Sequence, residues 1–237
     1  MTRRAAAAPR SAFSTAAVLA AIALFLGLGA WQVQRLAWKR DLIARVEARH
    51  DAEPVAAPGP AAWDGLSRDA DEYARVTASG RFDHAREVQS LAVTELGPGY
   101  WVLTPLETPA FTVIVNRGFV PQDRRDPASR REGAVAGDVT VSGLLRLSEP
   151  GGGFLRANDP AGGRWYSRDV AAIAAAEGLP GPVAPYFIDA DSSANPSGLP
   201  VGGLTVVHFR NAHLSYALTW FALAAGLGWL ALRARKA

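Results

Sequence analysis

Residues 12–33 read AFSTAAVLAAIALFLGLGAWQV, and residues 211–232 read NAHLSYALTWFALAAGLGWLAL. Neither segment contains Asp, Glu, Lys or Arg. As an α-helix, each is long enough to cross a hydrocarbon core of roughly 30 Å. Because backbone amides find no water inside hydrocarbon, a chain that crosses it forms a helix. The sequence therefore predicts two transmembrane helices, at residues 12–33 and 211–232.

Basic residues flank the two predicted spans and indicate how the chain is oriented. The tails, residues 1–11 and 233–237, contain no acidic side chain, and their basic ones are Arg3, Arg4, Arg10, Arg233, Arg235 and Lys236. Since basic flanks are retained in the cytoplasm, both tails are predicted to be cytoplasmic. Basic residues just after the first span argue for the opposite orientation but are outnumbered. A cleaved signal peptide remains the alternative interpretation of the first segment.

Composition narrows the functional classes. Once the tails are set aside, 19 Lys and Arg face 22 Asp and Glu, so the chain between them has no basic excess for nucleic acid. The chain contains no Cys, and its single Met is residue 1. Copper(I) and dithiol chemistry depend on soft sulfur ligands or thiols. Neither a copper chaperone nor a dithiol oxidoreductase is therefore expected.

Between the spans, residues 34–62 are predicted to form a helical extension and an irregular linker, and residues 63–210 a β-rich domain outside the membrane. A short helix is predicted between the N-cap Asp169 and Gly178. The fold class is a membrane protein whose two transmembrane helices flank a β-dominated α+β domain, built as a sandwich or a partly closed barrel. Runs rich in Val, Leu, Thr and aromatics predict strands at 75–82, 87–93, 100–105, 111–115, 139–147 and 186–190.

His213 is the leading candidate for a functional side chain. The sequence contains none of the ordinary catalytic motifs, so the candidate is sought among residues that are unusual for their position. An ionisable group at the mouth of a span is costly unless it serves a purpose. Tyr216 and Trp220 follow His213 at i+3 and i+7 on one helical face. A nitrogen ligand beside flat aromatic surface suits a planar macrocycle bound through its iron. The alternative is that His213, Tyr216 and Trp220 only anchor the helix at the headgroup level.

The two spans are also predicted to pack against each other. Gln32 carries an amide near the hydrocarbon boundary, where it is expected to hydrogen-bond to the other helix. Small residues at four-residue spacing are predicted to line the contact, which would bring Ala23 and Gly27 against Ala222 and Gly226.

Several motifs along the chain follow the order of a known family. These motifs are GAWQVQR at 29–35, GRFD at 80–83, GYWVLTPL at 99–106, VNRGFVP at 115–121, NDP at 158–160 with Trp165-Tyr166, and NAHLSYALTW at 211–220. On these motifs the chain resembles the Surfeit locus protein 1 family of cytochrome c oxidase assembly factors, with Phe119 where the family more usually has Trp.

The resemblance implies a non-enzymatic role, in which the protein helps to place haem a in the catalytic subunit of the oxidase. It implies that His213 corresponds to a haem-binding histidine. Tyr216 and Trp220, which share its helical face by spacing, are predicted to complete the cofactor site. The implied partners are the oxidase catalytic subunit, haem a synthase and membrane lipid. About ten residues precede the first span, which favours a bacterial inner membrane with the domain in the periplasm over a mitochondrial protein.

Two other functions remain open from the sequence. One is a scaffold that stabilises an oxidase subunit through its spans and domain without binding haem. The other is a membrane-anchored sensor or enzyme of unknown substrate. Within the domain, Arg117 is expected to tie a loop and Gly118 to serve a turn, rather than to bind a ligand.

Overall fold

A computed structural model describes residues 9–193, 195–196, 198–205 and 212–234. These residues belong to two compact units, one within 1–45 and 208–237 and the other within 46–207. The ends of both predicted tails, Asn211 and residues 206–210 lie outside the described part of the chain. The α-helices are α1 (Pro9–His50), α2 (Arg68–Asp71), α3 (Val170–Glu177) and α4 (His213–Ala234).

The two long helices coincide with the two apolar segments of the sequence. Within Thr15–His50 and His213–Ala234, each helix contains a stretch that is long and apolar enough to cross a membrane, judged by length and composition. The prediction that both segments are helical is therefore confirmed for the described residues. The prediction that α1 continues past the first apolar segment is confirmed as well, because the helix ends at His50.

The domain is built on one mixed sheet of short strands. Every strand predicted from the sequence is present, with β4 and β5 longer than expected. The strands are β1 (Val55–Ala56), β2 (Arg75–Phe82), β3 (Val88–Thr94), β4 (Gly97–Glu107), β5 (Thr112–Pro121), β6 (Asp138–Leu147) and β7 (Val183–Ala190). Short 3-10 helices lie at Pro60–Gly65, His84–Arg86, Gln122–Arg124 and Pro127–Gly133.

The sheet closes on itself. Its strand order is β1-β2-β6-β7-β5-β4-β3, and β2 also pairs with β4. That extra pairing joins Arg81 to Glu107 and Phe82 to Leu106, so β2, β6, β7, β5 and β4 form a ring. Of the two architectures that the sequence left open, the partly closed barrel is the one observed.

The prediction that residues 52–62 form an irregular linker is wrong in part. Val55–Ala56 pairs in parallel with β2, and a 3-10 helix begins at Pro60. The Pro58 carbonyl accepts hydrogen bonds from the nearby Trp63 Nε1 at 2.9 Å and from Oη of the buried Tyr186 at 2.7 Å. The contact with Tyr186 and the pairing with β2 come from distant parts of the chain, and they outweigh the local preference of a stretch rich in Ala and Pro.

Strand alternation creates two apolar clusters on opposite faces of the sheet. Val113 and Val115 of β5 belong to the cluster inside the ring, whereas Ile114 between them belongs to the other cluster, beneath α3. The α3 helix is confirmed with both of its predicted ends. Asp169 caps it by accepting a hydrogen bond from Ala172 N, and Gly178 ends it with φ +57°.

A buried network of charged side chains joins β6 and β7 to the segment that precedes α3. Both carboxylate oxygens of Asp189 accept hydrogen bonds from arginine, Oδ2 from Arg146 at 3.0 Å and Oδ1 from Arg168 at 3.0 Å. Glu149 accepts two more from Arg168, and Glu72 accepts one from Arg146. The network therefore holds together segments that lie far apart in the sequence.

The network makes the stability of the domain depend on pH. Burial alone would raise the pKa of Glu149, but hydrogen bonds and charge from Arg168 outweigh it and hold the pKa below the ordinary value of 4.5. A carboxylate whose pKa is lower in the folded state than in the unfolded state stabilises the fold at any pH above its unfolded-state pKa. This contribution is lost as the pH falls through the folded-state pKa.

We therefore expect the free energy of unfolding to fall steeply below about pH 4.5. In Glu149→Gln, which cannot titrate at this position, that fall should be shallower. Urea unfolding from pH 6 to pH 3 measures both slopes. Equal slopes in the two proteins would assign the acid sensitivity to other carboxylates.

The turn at Phe154 and Leu155 contains backbone strain. Leu155 has φ +56° and its side chain is 89% exposed. A non-glycine residue in this left-handed conformation costs about 1–2 kcal/mol, and exposed Leu recovers little of it by packing. Leu155→Gly is expected to raise the free energy of unfolding by about 0.5–1 kcal/mol, after allowing for the freer unfolded chain. Urea denaturation measures the gain, and a loss would show that the Leu155 side chain stabilises the turn.

Candidate functional site

The helices α1 and α4 pack along a seam with alternating four- and three-residue steps. On α1 the seam contains Phe25, Gly29 and Gln32, and on α4 it contains Ala217 and Ala224, which are buried. A side chain at Gly29 would collide with the ring of Phe221, so this ring packs over Gly29. Spacing of this kind is typical of left-handed helix pairs. The prediction that the two helices pack together is confirmed.

The predicted small-residue seam is wrong. Ala23, Gly27, Ala222 and Gly226 are all exposed. A Cβ added at Gly27 or Gly226 would meet nothing within 4 Å among the described residues. The seam instead uses the helical face that carries the aromatic side chains, because stacked rings fill the space between the backbones. Gly29 and Ala217 supply the room for them.

His213 lies at the first turn of α4 and contacts α1 through a polar side chain. Its Nδ1 is 2.7 Å from Oε1 of Gln32. This contact confirms that the Gln32 amide finds its partner on the other helix. An amide oxygen only accepts hydrogen bonds, so Nδ1 is the donor in this contact, and in a neutral imidazole Nε2 then keeps its lone pair. No hydrogen bond to Nε2 is formed by the described residues.

The pairing of His213 with Gln32 has a chemical consequence. Histidines that bind a metal through one ring nitrogen commonly donate from the other nitrogen to a fixed acceptor, which sets the tautomer and the ring orientation. The structure shows such an acceptor at Nδ1. The arrangement therefore leaves Nε2 of a neutral His213 imidazole free of a hydrogen bond from the described residues, as a nitrogen ligand requires.

The two aromatic residues predicted beside His213 have different surroundings. Trp220 is half-buried, and its ring stacks on Phe25 with centroids 5.7 Å apart and an interplanar angle of 28°. Tyr216 is 57% exposed and projects away from the seam. The structure thus places Trp220 two turns along the same seam as His213, and Tyr216 on its outer flank.

The domain residues singled out by the sequence have structural roles. Arg117 donates to the Gly133 carbonyl and to Oδ1 of Asn195, and its guanidinium lies 5.0 Å from the ring centroid of Phe82. The expectation that Gly118 serves a turn is wrong, because it lies within β5 and pairs with Val102. It has φ +127°, and a side chain there would collide with the Val201 backbone. The expectation that Arg117 ties a loop is confirmed.

Two details of the candidate site were not identified from the sequence: the stacking of Phe25 on Trp220, and His213 as the specific partner of Gln32. Phe25 is one of many apolar residues in its helix, and local spacing does not distinguish it. Gln32 was visible as an amide in an apolar region, but its partner lies 181 residues away. A heptad count along both helices would have found the shared face.

The chain is similar to known proteins over almost its whole length. The sequence model of the SURF1 family matches residues 19–225. Surfeit locus protein 1 of Rattus norvegicus is 37% identical over 224 residues, covering 87% of this chain and 71% of the rat protein. The Homo sapiens protein of the same name is 36% identical over 222 residues, covering 86% and 71%. A SURF1-like protein of Drosophila melanogaster is 33% identical over 225 residues, again covering 86% and 71%.

Proposed function

The chain belongs to the SURF1 family, and we propose that it is an assembly factor for cytochrome c oxidase that assists the insertion of haem a into the catalytic subunit. The role is non-enzymatic: the protein carries a cofactor and releases it. The observation that supports this proposal most directly is the hydrogen bond between His213 Nδ1 and Gln32 Oε1, because it leaves Nε2 ready to bind iron.

The side chains around His213 fit a haem as cargo. A porphyrin supplies four nitrogen ligands of its own, so one imidazole is enough to hold the iron. Trp220 and the exposed Tyr216 offer aromatic surface on the same helix. Gln32 is the acceptor that would keep the imidazole oriented. A single axial ligand on an open flank favours transfer over permanent binding.

We place the protein in the bacterial inner membrane, with both ends cytoplasmic and the β-rich domain in the periplasm. The length and apolar composition of α1 and α4 support two membrane spans. The basic tails support a cytoplasmic location for both ends. In this arrangement the domain docks the catalytic subunit of the oxidase, and haem a synthase is the expected donor of the cargo.

The test is the absorption spectrum of the whole protein, purified in mild detergent from cells that make haem a. We expect a Soret band, with extracted haem a in up to equimolar amount. Purification from cells unable to make any haem supplies the matched control. Colourless protein from cells whose oxidase assembles normally would reject the haem-carrying role and favour a scaffold that stabilises an oxidase subunit.

A further inference from the structure

Phe154 and Leu155 form the most exposed apolar surface of the described domain. Their exposed fractions are 91% and 89%, above those of every other large hydrophobic residue that the structure describes. Two such side chains at consecutive positions lose the benefit of burial. An exposed apolar pair of this kind indicates a contact that forms outside the isolated chain.

The turn that carries the pair is fixed in place. Gly153 N donates to the Arg156 carbonyl at 2.8 Å, and Arg156 N donates back to Gly153 at 3.2 Å. Gly152 has φ +94° and donates from its backbone to Oγ of Ser167 at 3.1 Å. The turn thus presents Phe154 and Leu155 in a defined conformation. Stability does not account for Leu155, since its left-handed backbone is strained.

One cation–aromatic pair includes Arg156 of the turn itself, and a second contacts the segment that follows the turn in sequence. The guanidinium of Arg156 stands over the ring of Tyr166, with 5.6 Å between them. Arg125 donates to the Gly163 carbonyl at 3.2 Å and lies over the ring of Tyr100. An apolar tip followed by amphipathic rings and cations is the arrangement that suits the boundary between acyl chains and anionic headgroups.

We propose that the Phe154-Leu155 turn inserts into the surface of an anionic bilayer and gives the domain a membrane contact of its own. This inference rests on the membrane anchoring in the proposed function, because both ends of the domain continue in sequence into a candidate span. Because two membrane spans anchor it, the domain always has a bilayer available to bind. Two side chains also fall well short of the roughly 800 Å² per partner of a stable protein interface, which favours lipid as the occupant.

The absence of Cys from the sequence allows a direct test with single labelled sites. Phe154→Cys and Leu155→Cys are each labelled with the fluorophore NBD in the full chain. The protein is reconstituted into phosphatidylglycerol vesicles that contain phospholipid with a spin label on the acyl chain. We expect several-fold stronger quenching at both sites than at Ala110→Cys, an exposed site on the β4–β5 turn. Equal quenching at the three sites overturns the proposal.

Two further measurements test the part played by the anionic headgroups and the independence of the turn from the haem site. Arg156→Gln is expected to reduce the quenching at residue 154 in anionic vesicles, and little quenching is expected in phosphatidylcholine alone. If the quenching depends neither on Arg156 nor on the charge of the lipid, anionic headgroups do not contribute to binding, and the proposed insertion into an anionic bilayer is overturned. The haem spectrum is recorded on the same preparations. Its loss with quenching retained would reject the proposed function alone, and a normal spectrum without quenching would reject the turn insertion alone.

Discussion

Replacing Asp189 by Asn is expected to lower the free energy of unfolding of the domain by about 3–5 kcal/mol, the range for breaking a buried ion pair from one side. The Asp189 side chain is only 2% exposed. Its carboxylate is the shared acceptor of Arg146 and Arg168, so the substitution leaves two buried guanidinium groups with less negative charge between them.

The hydrogen bonds at Asp189 explain why the isosteric amide is not tolerated. Oδ1 also accepts from Asn116 Nδ2 at 2.7 Å, and Oδ2 also accepts from Thr205 Oγ1 at 2.9 Å. Both oxygens therefore face donors only. An amide turns one of these positions into a donor, so the introduced NH₂ group would oppose the N–H groups of its neighbours. A buried group left in this state carries its full desolvation cost.

Asp138→Asn is the matched control. Asp138 pairs with Arg81 at 3.1 Å, but the two side chains are 84% and 69% exposed. A surface pair of this kind contributes at most about 1 kcal/mol, and the amide remains solvated. Urea denaturation of the detergent-solubilised chain, followed by near-ultraviolet circular dichroism, compares the two variants. If Asp138→Asn and Asp189→Asn lower the free energy of unfolding by similar amounts, the buried network stabilises the domain no more than a surface ion pair does.

The local features of this fold were visible in the sequence, and the long-range ones were not. Asp169 and Gly178 predicted both ends of α3, because capping depends on neighbouring backbone groups. The local sequence does not single out Arg146, Arg168 and Asp189, since what buries them is the pairing of strands that lie far apart in the chain. The closure of the barrel through Arg81 and Glu107 is likewise a property of the whole ring.

The contact between α1 and α4 follows a heptad-like spacing and not the small-residue spacing that was predicted. Ala23 and Gly27 satisfied the small-residue spacing that is common between membrane helices. The heptad-like face through Phe25 and Gln32 was equally readable, and it is the face used. The helix contact was therefore predicted correctly in the cross-helix pairing of Gln32 and wrongly in the small residues that were expected to line it.

The position of Gln32 leads to the prediction with the largest functional effect. His213→Ala is expected to remove most of the Soret absorbance of the purified protein, because it removes the nitrogen that would hold the iron. Gln32→Leu keeps that nitrogen but removes the acceptor of the Nδ1 proton. Losing such an orienting partner typically weakens metal affinity 10–100-fold, so haem binding should fall by about that factor.

Combining the two substitutions tests whether Gln32 acts through His213. If it does, adding Gln32→Leu to His213→Ala causes no further loss of haem, because the two effects are not independent. Thr219→Val is the matched control on α4, since Thr219 is exposed and donates to the Ser215 carbonyl within its own helix. Titration of haem into the purified apoprotein gives the affinity of each variant. Affinity that survives in His213→Ala would reject this histidine as the ligand, and a Gln32→Leu variant as tight as Thr219→Val would reject the orienting role.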